Sequence, residues 1–248
     1  DSCNPVTGQC TFTIDNTNTC SDGNGCTNDV CNNGVCGCPV ITGACQGSTP
    51  AHFDSIDVPK TIPATAPPNV NTSVLTVSGA GSYLYDLNLK TFITHTFPGD
   101  LQITLKSPAG TIVTVTTANG GTNDNVFNGT LWNDSADPGN QAPFPGDTFA
   151  ASALVTDTVY AVGVPKTTLV PEEALGAFIG ENPNGVWLMT IVDTANLDGG
   201  ALNNWSLDVT TLPAPPTSTP GSYPSNDVPK TIPTTAPPIT VTSTVTVS

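Results

Sequence analysis

The chain has 248 residues, is rich in glycine (23) and proline (24), and has only 10% charged side chains, a composition that favours short strands joined by turns over helices. Five lysines, no arginine and 20 acidic residues give a net charge of −15, which repels phosphate backbones and anionic membranes and disfavours nucleic-acid binding. No apolar run is long enough to predict a membrane span in this segment.

Residues 1–50 form a cysteine-rich N-terminal segment, which contains every cysteine of the chain: Cys3, Cys10, Cys20, Cys26, Cys31, Cys36, Cys38 and Cys45. An even number of cysteines in a short segment with little apolar core is typical of a disulfide framework, which requires an oxidising compartment. A metal site is disfavoured because no Cys-x-x-Cys pair occurs. We predict a small, irregular, disulfide-rich segment of an extracellular or cell-surface protein, and the sequence leaves the cysteine pairing open.

One stretch of this segment, residues 20–31, is similar to the short cysteine-rich repeats of bacterial surface proteins. Asp22, Asn24 and Asp29 offer oxygen ligands for calcium there, although their spacing departs from that of an EF-hand loop. Asp-Gly and Asn-Gly pairs also form tight turns without any ion, so turn formation explains these residues equally well.

Residues 51–212 show the alternation of apolar and polar residues that predicts β-strands. The predicted strands are rich in β-branched residues and cover 101–105, 111–116, 159–164, 186–192 and 205–209. The one helical candidate, residues 172–178, follows a proline and is short. Many short strands with intervening turns predict an all-β fold, a jelly-roll β-sandwich.

A proline-rich linker, residues 213–225, follows the middle domain and is expected to be extended and semi-rigid. Beyond it, residues 225–248 repeat residues 55–78 without gaps, and 17 of the 24 positions are identical. We therefore predict that residues 226–248 are the first-strand region of a second copy of the middle domain in a tandem array. A lone strand cannot bury its own apolar face, so this strand must pair elsewhere in the protein or with a neighbouring molecule.

The middle domain carries motifs of a known family. Residues 95–111 read His-Thr-Phe-Pro-Gly-Asp-Leu-Gln-Ile-Thr-Leu-Lys-Ser-Pro-Ala-Gly-Thr. They are similar to the hallmark of the proprotein convertase P domain (Homo B), in which a histidine precedes Gly-Asp-Leu, a strand and a Ser-Pro-x-Gly-Thr turn. Residues 180–193 and 200–207 agree with the same pattern. The resemblance covers about 57–211 and implies an eight-stranded jelly roll that stabilises a subtilisin-like catalytic domain.

The resemblance also indicates a cofactor. Some members of the family bind calcium in acidic loops, which suggests these ligands: Asp100, Asp134, Asp193 and Asp198. Relatives often have paired acids where this chain has Trp-Asn-Asp at 132–134, so its ligand set departs from the family pattern. No cofactor other than calcium is expected.

The other hallmark residues are predicted to be structural. Trp187 and Trp205 alternate with aliphatic residues within strands, which indicates core packing rather than sugar stacking. His95 is expected to pack or hydrogen-bond near the Gly-Asp turn that follows it. No Gly-Thr-Ser-x-Ala nucleophile turn, phosphate loop or His-Glu-x-x-His motif occurs, so we expect a segment that is not an enzyme.

Three interpretations of function remain open. The first is a structural or adhesive segment of a tandem-repeat surface or fibre-forming protein, which pairs with copies of itself or neighbouring domains by strand exchange through residues 226–248. The second is an accessory region that stabilises a secreted subtilisin-like protease. The third is a carbohydrate-binding module that acts through exposed aromatic side chains: Trp132, Tyr83 and Tyr85. A surface protein or a glycan is accordingly a further expected partner.

Overall fold

The computed structural model describes residues 48–136, 152–216, 221–234 and 241–247, together with four very short strands nearer the N-terminus. The chain divides into two compact units. The first comprises Asp1–Gly47 with Ala214–Thr217, and the second comprises Ser48–Pro213 with Ser218–Ser248. None of the helices in the described residues is long and apolar enough to cross a bilayer.

The described residues of the first unit form two antiparallel strand pairs. One pair is β1 (Ser2–Cys3) with β2 (Cys10–Thr11), and the other is β3 (Val30–Asn32) with β4 (Val35–Gly37). The register sets the backbone of Cys3 opposite Cys10 and that of Cys31 opposite Cys36. The disulfide framework stays a prediction. Several predicted residues lie outside the described part of the chain: Asp22, Asn24, Asp29, Cys20, Cys26, Cys38 and Cys45.

The second unit is a sandwich of two sheets. The first sheet has the order β10-β9-β13-β7, formed by β7 (Asn69–Val77), β9 (Leu101–Lys106), β10 (Ile112–Thr117) and β13 (Gly185–Asp193). The second sheet has the order β12-β11-β8-β14-β5, formed by β5 (Thr49–Asp54), β8 (Tyr83–His95), β11 (Asn128–Trp132), β12 (Thr168–Leu169) and β14 (Gly200–Leu212). A short strand, β6 (Lys60–Ile62), also pairs with β14. The chain crosses between the sheets repeatedly, and the predicted all-β jelly-roll sandwich is confirmed.

Strict alternation within the strands builds the core. In β9 the side chains of Leu101, Ile103 and Leu105 are buried, and in β13 those of Trp187 and Met189 are buried, while their neighbours point outward. The rings of Phe178 and Trp187 pack edge to face with centroids 5.0 Å apart. The predicted strands 101–105, 111–116, 186–192 and 205–209 are confirmed.

The predicted strand at 159–164 is wrong. These residues form a tight turn closed by an isolated bridge between Ala161 and Val164, with Gly163 at a φ of 69°. Val159, Val162 and Val164 are exposed, and Tyr160 is the residue of this run that packs against the core. Apolar, β-branched residues form a strand only where a neighbouring strand is available to pair with them.

The helical candidate at 172–178 is only partly helical. A 3-10 helix covers Leu175–Phe178, whereas Glu172 and Glu173 bond their backbone N–H groups to the carbonyls of Val115 and Thr114 in β10. Residues 241–247, within the predicted first strand of the second copy, belong to no sheet of the described structure.

Candidate functional site

The hallmark histidine lies at the end of β8, where the chain leaves the second sheet. His95 stands opposite Gly200, the first residue of β14. A side chain at position 200 would collide with the carbonyl oxygen of Thr94, so only glycine allows this close approach of the strands. A short 3-10 helix, Pro98–Asp100, follows directly and forms the turn next to which His95 was predicted to lie.

The imidazole of His95 is buried against the buried carboxylate of Asp193. The backbone N–H of Phe97 donates to His95 Nδ1 at 3.2 Å, so a neutral ring carries its proton on Nε2. That nitrogen lies 3.5 Å from Asp193 Oδ2, and neither atom makes a hydrogen bond within the described structure. The other carboxylate oxygen, Oδ1, accepts the N–H of Ala195 at 3.1 Å. This pair joins the end of β8 to the end of β13 inside the protein.

The loops around this pair bring two more carboxylates close. The side chain of Thr96 donates to Asp198 Oδ1 at 2.8 Å, and Thr194 donates through both its N–H and its hydroxyl to the backbone carbonyl of Asp100. Burial raises the pKa of the Asp100 carboxyl, and the negative charges of Asp193 and Asp198 raise it further. The structure thus brings together three of the predicted calcium residues beside His95.

The fourth predicted residue lies elsewhere. The carboxylate of Asp134 accepts the N–H groups of Leu175 at 3.0 Å and Gly176 at 2.7 Å, so it caps the 3-10 helix. Among the described residues, no three His, Cys, Asp or Glu side chains converge on a point that could hold a metal ion. Asp193 and Asp198 already use carboxylate oxygens to accept protein hydrogen bonds. The donors as arranged do not fit a calcium ion, and calcium binding stays a prediction.

The aromatic residues are mostly internal. Trp132, Trp187 and Trp205 are fully buried, so the exposed position assumed for Trp132 in the carbohydrate hypothesis is wrong. Its indole N–H donates to the Thr91 hydroxyl at 2.9 Å within the core. Tyr85 is exposed, but a single ring is a weak platform for a sugar.

A second group of ionisable residues lies on the surface of the second sheet. His52 Nδ1 is 2.6 Å from Asp208 Oδ1, and its Nε2 is 3.3 Å from Asp54 Oδ1. The hydrogen bond to Asp208 raises the pKa of His52 more than partial burial lowers it. Asp86 lines the same shallow groove. Exposed pairs of this kind contribute little to stability.

Sequence reasoning missed a polar network at the start of the domain, here called the Asp57 lock and made of Ser55, Asp57, Lys60, Ser73 and Val74. Asp57 Oδ1 accepts the hydroxyls of Ser55, at 3.1 Å, and of Ser73. Its Oδ2 accepts the N–H of Val74 at 3.1 Å and lies 3.2 Å from Lys60 Nζ. Burial alone would raise the pKa of Asp57, but the bonds from Ser73, Val74, Lys60 and Ser55 outweigh it and lower the pKa.

The Asp57 lock connects the first strands of the sandwich to its last strand, β14. The indole N–H of Trp205 in β14 donates to the Ser73 hydroxyl at 2.7 Å, and the Trp205 carbonyl accepts the N–H of Ser55 at 2.9 Å. Both serines are buried. The signal that could have revealed the lock is the conservation of its Ser, Asp, Lys and Ser residues between the two internal repeats.

The same network recurs 170 residues further along the chain. Asp227 Oδ1 accepts the hydroxyls of Ser225 at 2.6 Å and Ser243 at 2.5 Å, and Lys230 Nζ lies 3.0 Å from its Oδ2. The N–H of Thr244 lies 3.3 Å from the same Oδ2. The bonds from Ser225, then Ser243 and Lys230, lower the pKa of Asp227. We call this network the Asp227 lock.

Sequence reasoning also missed how the edge of the first sheet is covered. Glu172 accepts the N–H and the hydroxyl of Thr117, each at 2.7 Å, and Glu173 accepts the N–H of Thr114 at 2.6 Å. These carboxylates cover backbone groups of β10, which has a partner strand on one side only within the described part of the chain. Covering an edge in this way blocks pairing with another chain.

The two sheets and the buried His95–Asp193 pair define a β-sandwich domain of the jelly-roll class. Residues 84–142 and 152–209 match the family described as the Proprotein convertase P-domain. The chain belongs to this family through its sandwich, since the two matched stretches span strands of both sheets. Residues 226–248 lie outside both matched stretches, and their assignment to a second copy rests on the internal repeat.

Solved structures that resemble the chain include a serine protease of Aeromonas sobria, both alone and in a complex with a chaperone. The likeness to the complex has a TM-score of 0.40 at 17% identity and covers 67% of this chain. The likeness to the protease alone has a TM-score of 0.39 at 15% identity and covers 66% of this chain. In each case this chain spans 27% of the matched chain. Among curated proteins, none matches the sequence.

Proposed function

We propose that the sandwich acts as a non-catalytic accessory domain of a secreted subtilisin-like protease. The observation that carries this proposal is the match of both halves of the sandwich to the convertase P-domain family. The hallmark His95 supports a structural role, because it is buried and faces Asp193 rather than a nucleophile. A catalytic histidine would need access to substrate.

The experiment joins the full chain to the subtilisin-like catalytic domain encoded by the same organism. The half-life of peptidase activity at an inactivating temperature is compared with that of the catalytic domain alone. A fusion to an unrelated β-sandwich of similar size serves as the control for added mass. We expect a several-fold longer half-life only with this chain, and equal half-lives in the two fusions would refute the accessory role.

An extracellular location is part of the same proposal, and the backbone register of the first unit supports it. Cys3 stands opposite Cys10, and Cys31 stands opposite Cys36, across antiparallel strands. Residues directly opposite in such pairs have Cα atoms about 4.5–5.5 Å apart, which is within the range of disulfides. Peptide mapping of natively secreted protein without reduction is expected to recover both pairs. Recovery of these cysteines as free thiols would contradict the disulfide framework.

A second candidate function is favoured by one observation, the repeat of the Asp57 lock at Asp227. It is a structural or adhesive role in a tandem-repeat surface protein. Electron microscopy of natively secreted material, with and without a calcium chelator, tests it. Ordered fibres with a repeat near one domain length would support this role. Fibres that fall apart with the chelator would indicate that calcium holds neighbouring copies together. Dispersed particles would remove it.

A further inference from the structure

The outer face of the first sheet carries almost no charge. This surface, here called the neutral face, is formed by every second residue within 70–76, 102–106, 112–114 and 186–192, all of them exposed or partly exposed. Six of these residues are aliphatic, five are threonines, and the other two are a glutamine and a lysine. An apolar patch of this kind marks an interaction surface.

The neutral face contrasts with the outer face of the second sheet. That face has acidic residues around His52, among them Asp86 and Asp208, as expected for the solvated side of an antiparallel sheet. The chain as a whole has a net charge of −15, so two copies repel each other over most of their surface. The neutral face is therefore the surface on which two copies can approach at the lowest electrostatic cost.

Four threonines form a row across the neutral face, with one from each strand. The register of β10, β9, β13 and β7 places them side by side in this order: Thr114, Thr104, Thr190 and Thr72. Neighbouring strands lie about 4.8 Å apart, so the row is continuous. A twofold axis along this row would set each threonine against its own counterpart in a second copy.

The residues on either side of the threonine row match each other under that axis. In β7, Val70 of one copy would face Val74 of the other, and the β13 residues that flank Thr190 are aliphatic as well. In β9, Gln102 would face Lys106. The one charge of the neutral face then meets an amide oxygen that can accept its hydrogen bond. The surface is thus complementary to itself, as a twofold interface requires.

Carboxylates occupy both edges of the first sheet. Glu172 and Glu173 accept N–H groups of β10, and Asp57 accepts the N–H of Val74 in the middle of β7. β10 and β7 are the edge strands of this sheet within the described part of the chain. Covered edges disfavour strand pairing between molecules, so association through this sheet is expected face to face.

We propose that two copies of this chain associate through the neutral face, with their first sheets packed face to face about a twofold axis along the threonine row. Such sheets pack about 10 Å apart. The face extends about 20 Å across the four strands and about 20 Å along β13, so the contact buries at least about 800 Å² in total. This area is that of a weak, transient contact, which predicts a reversible dimer. The proposal goes beyond the accessory role and does not depend on it.

Sedimentation equilibrium of the full chain over a concentration series tests the dimer. Thr190→Asp would set two carboxylates against each other on the axis and should weaken the dissociation constant at least about tenfold. Thr210→Asp adds the same charge to a partly exposed threonine of β14 in the second sheet and should leave the dimer intact. Unfolding midpoints verify that both variants are folded. A monomer at every concentration, or equal effects of the two substitutions, would overturn the proposal.

A mixing experiment tests the axis itself. Because Thr190 is expected to face its own counterpart, Thr190→Lys alone should also lose the dimer, whereas a mixture of Thr190→Asp and Thr190→Lys should form a heterodimer. A mixture of Thr190→Asp and Thr210→Lys is matched in charge and should associate more weakly. Equal association in the two mixtures, or no heterodimer in the first, would refute the axis. If Thr190→Asp left the mass unchanged but shortened the half-life of the protease fusion, the neutral face would instead contact the catalytic domain.

Discussion

Residues 55–78 and 225–248 have nearly the same sequence in two different environments. Both complete the same network of serines, lysine and aspartate, with matching contacts to the carboxylate. Yet Ile62 is 1% exposed and Ile232 is 74% exposed, and Val77 is 1% exposed while Val247 is 68% exposed. The polar lock is therefore encoded locally, whereas burial is supplied by the rest of the sandwich.

The difference in strand formation has the same cause. In the first copy, β6 pairs with β14 and β7 pairs with β13 over nine residues. Residues 241–247, with similar β-branched content, have no partner strand among the described residues. Strand propensity measures how well a residue fits a pleated, half-buried surface, so the same residues form a strand only where such a surface exists.

The largest expected effect tests burial directly. Ile62→Ala removes a fully buried side chain from the core and should lower the free energy of unfolding by about 2–5 kcal/mol. Ile232→Ala at the equivalent, exposed position should change it by less than about 0.5 kcal/mol. Denaturant unfolding of both variants, followed by tryptophan fluorescence, measures the two values. Equal losses would mean that residues 225–248 are already part of the core.

The next effect concerns the locks. Asp57→Asn weakens hydrogen bonds that hold buried Ser73 beneath Trp205, and we expect a loss of about 1–3 kcal/mol in the free energy of unfolding. Asp227→Asn makes the same change where no tryptophan is attached, so the unfolding of dilute protein should be unaffected. If the second variant loses as much as the first, the Asp227 lock also supports the sandwich.

Much of the fold could be predicted from the sequence because the strands show a short-range alternation of apolar and polar residues. Alternation placed β9 and β13 within one or two residues of their ends, and the hallmark around His95 pointed to the family. The same reasoning failed at 159–164, where apolar residues surround a glycine turn. Periodicity cannot tell whether a neighbouring strand is available to pair.

The site was harder to predict, because its contacts join residues far apart in the chain. Asp57 and Ser73 are 16 residues apart, and Ser73 and Trp205 are 132 apart, so their meeting depends on strand register. Of the acidic residues that were predicted as calcium ligands in the sandwich, three lie close to one another, whereas Asp134 caps a 3-10 helix. Residue type alone does not reveal which backbone N–H groups a carboxylate satisfies.

A smaller effect is expected at the one core position where the repeats differ in size. Leu75→Val gives the first copy the valine found in the second and removes one methylene from the core, at a cost of about 1 kcal/mol. The reciprocal Val245→Leu changes an exposed position and should leave unfolding unchanged. Denaturant midpoints of the two variants measure the two effects. A stability loss in the reciprocal variant would contradict the difference in burial.

The smallest effect is the pH dependence of the two locks. The pKa of Asp57 is lowered in the folded protein, so its contribution to stability is complete above the unfolded pKa of about 3.9 and is lost as the pH falls through the lower folded pKa. The pKa of Asp100 is raised, so its effect on stability has the opposite dependence on pH. Asp100 is unchanged in both variants that are compared here, so its effect cancels in the comparison. Below about pH 4, the difference in stability between the wild type and Asp57→Asn should shrink by less than about 1 kcal/mol, because Asp57 is partly exposed.

The comparison with Asp227→Asn completes this test. The pKa of Asp227 is also lowered, but its network is not fastened to a tryptophan, so the unfolding of this variant should follow the wild type throughout the acid range. Unfolding midpoints from pH 2 to 7 in dilute protein measure both differences. A difference in stability between Asp227→Asn and the wild type that grows as the pH rises above 4 would show that protonation of the second lock is linked to unfolding. In that case the difference in side-chain burial would not give the two locks different effects on stability, because both would unfold with the same cooperative unit.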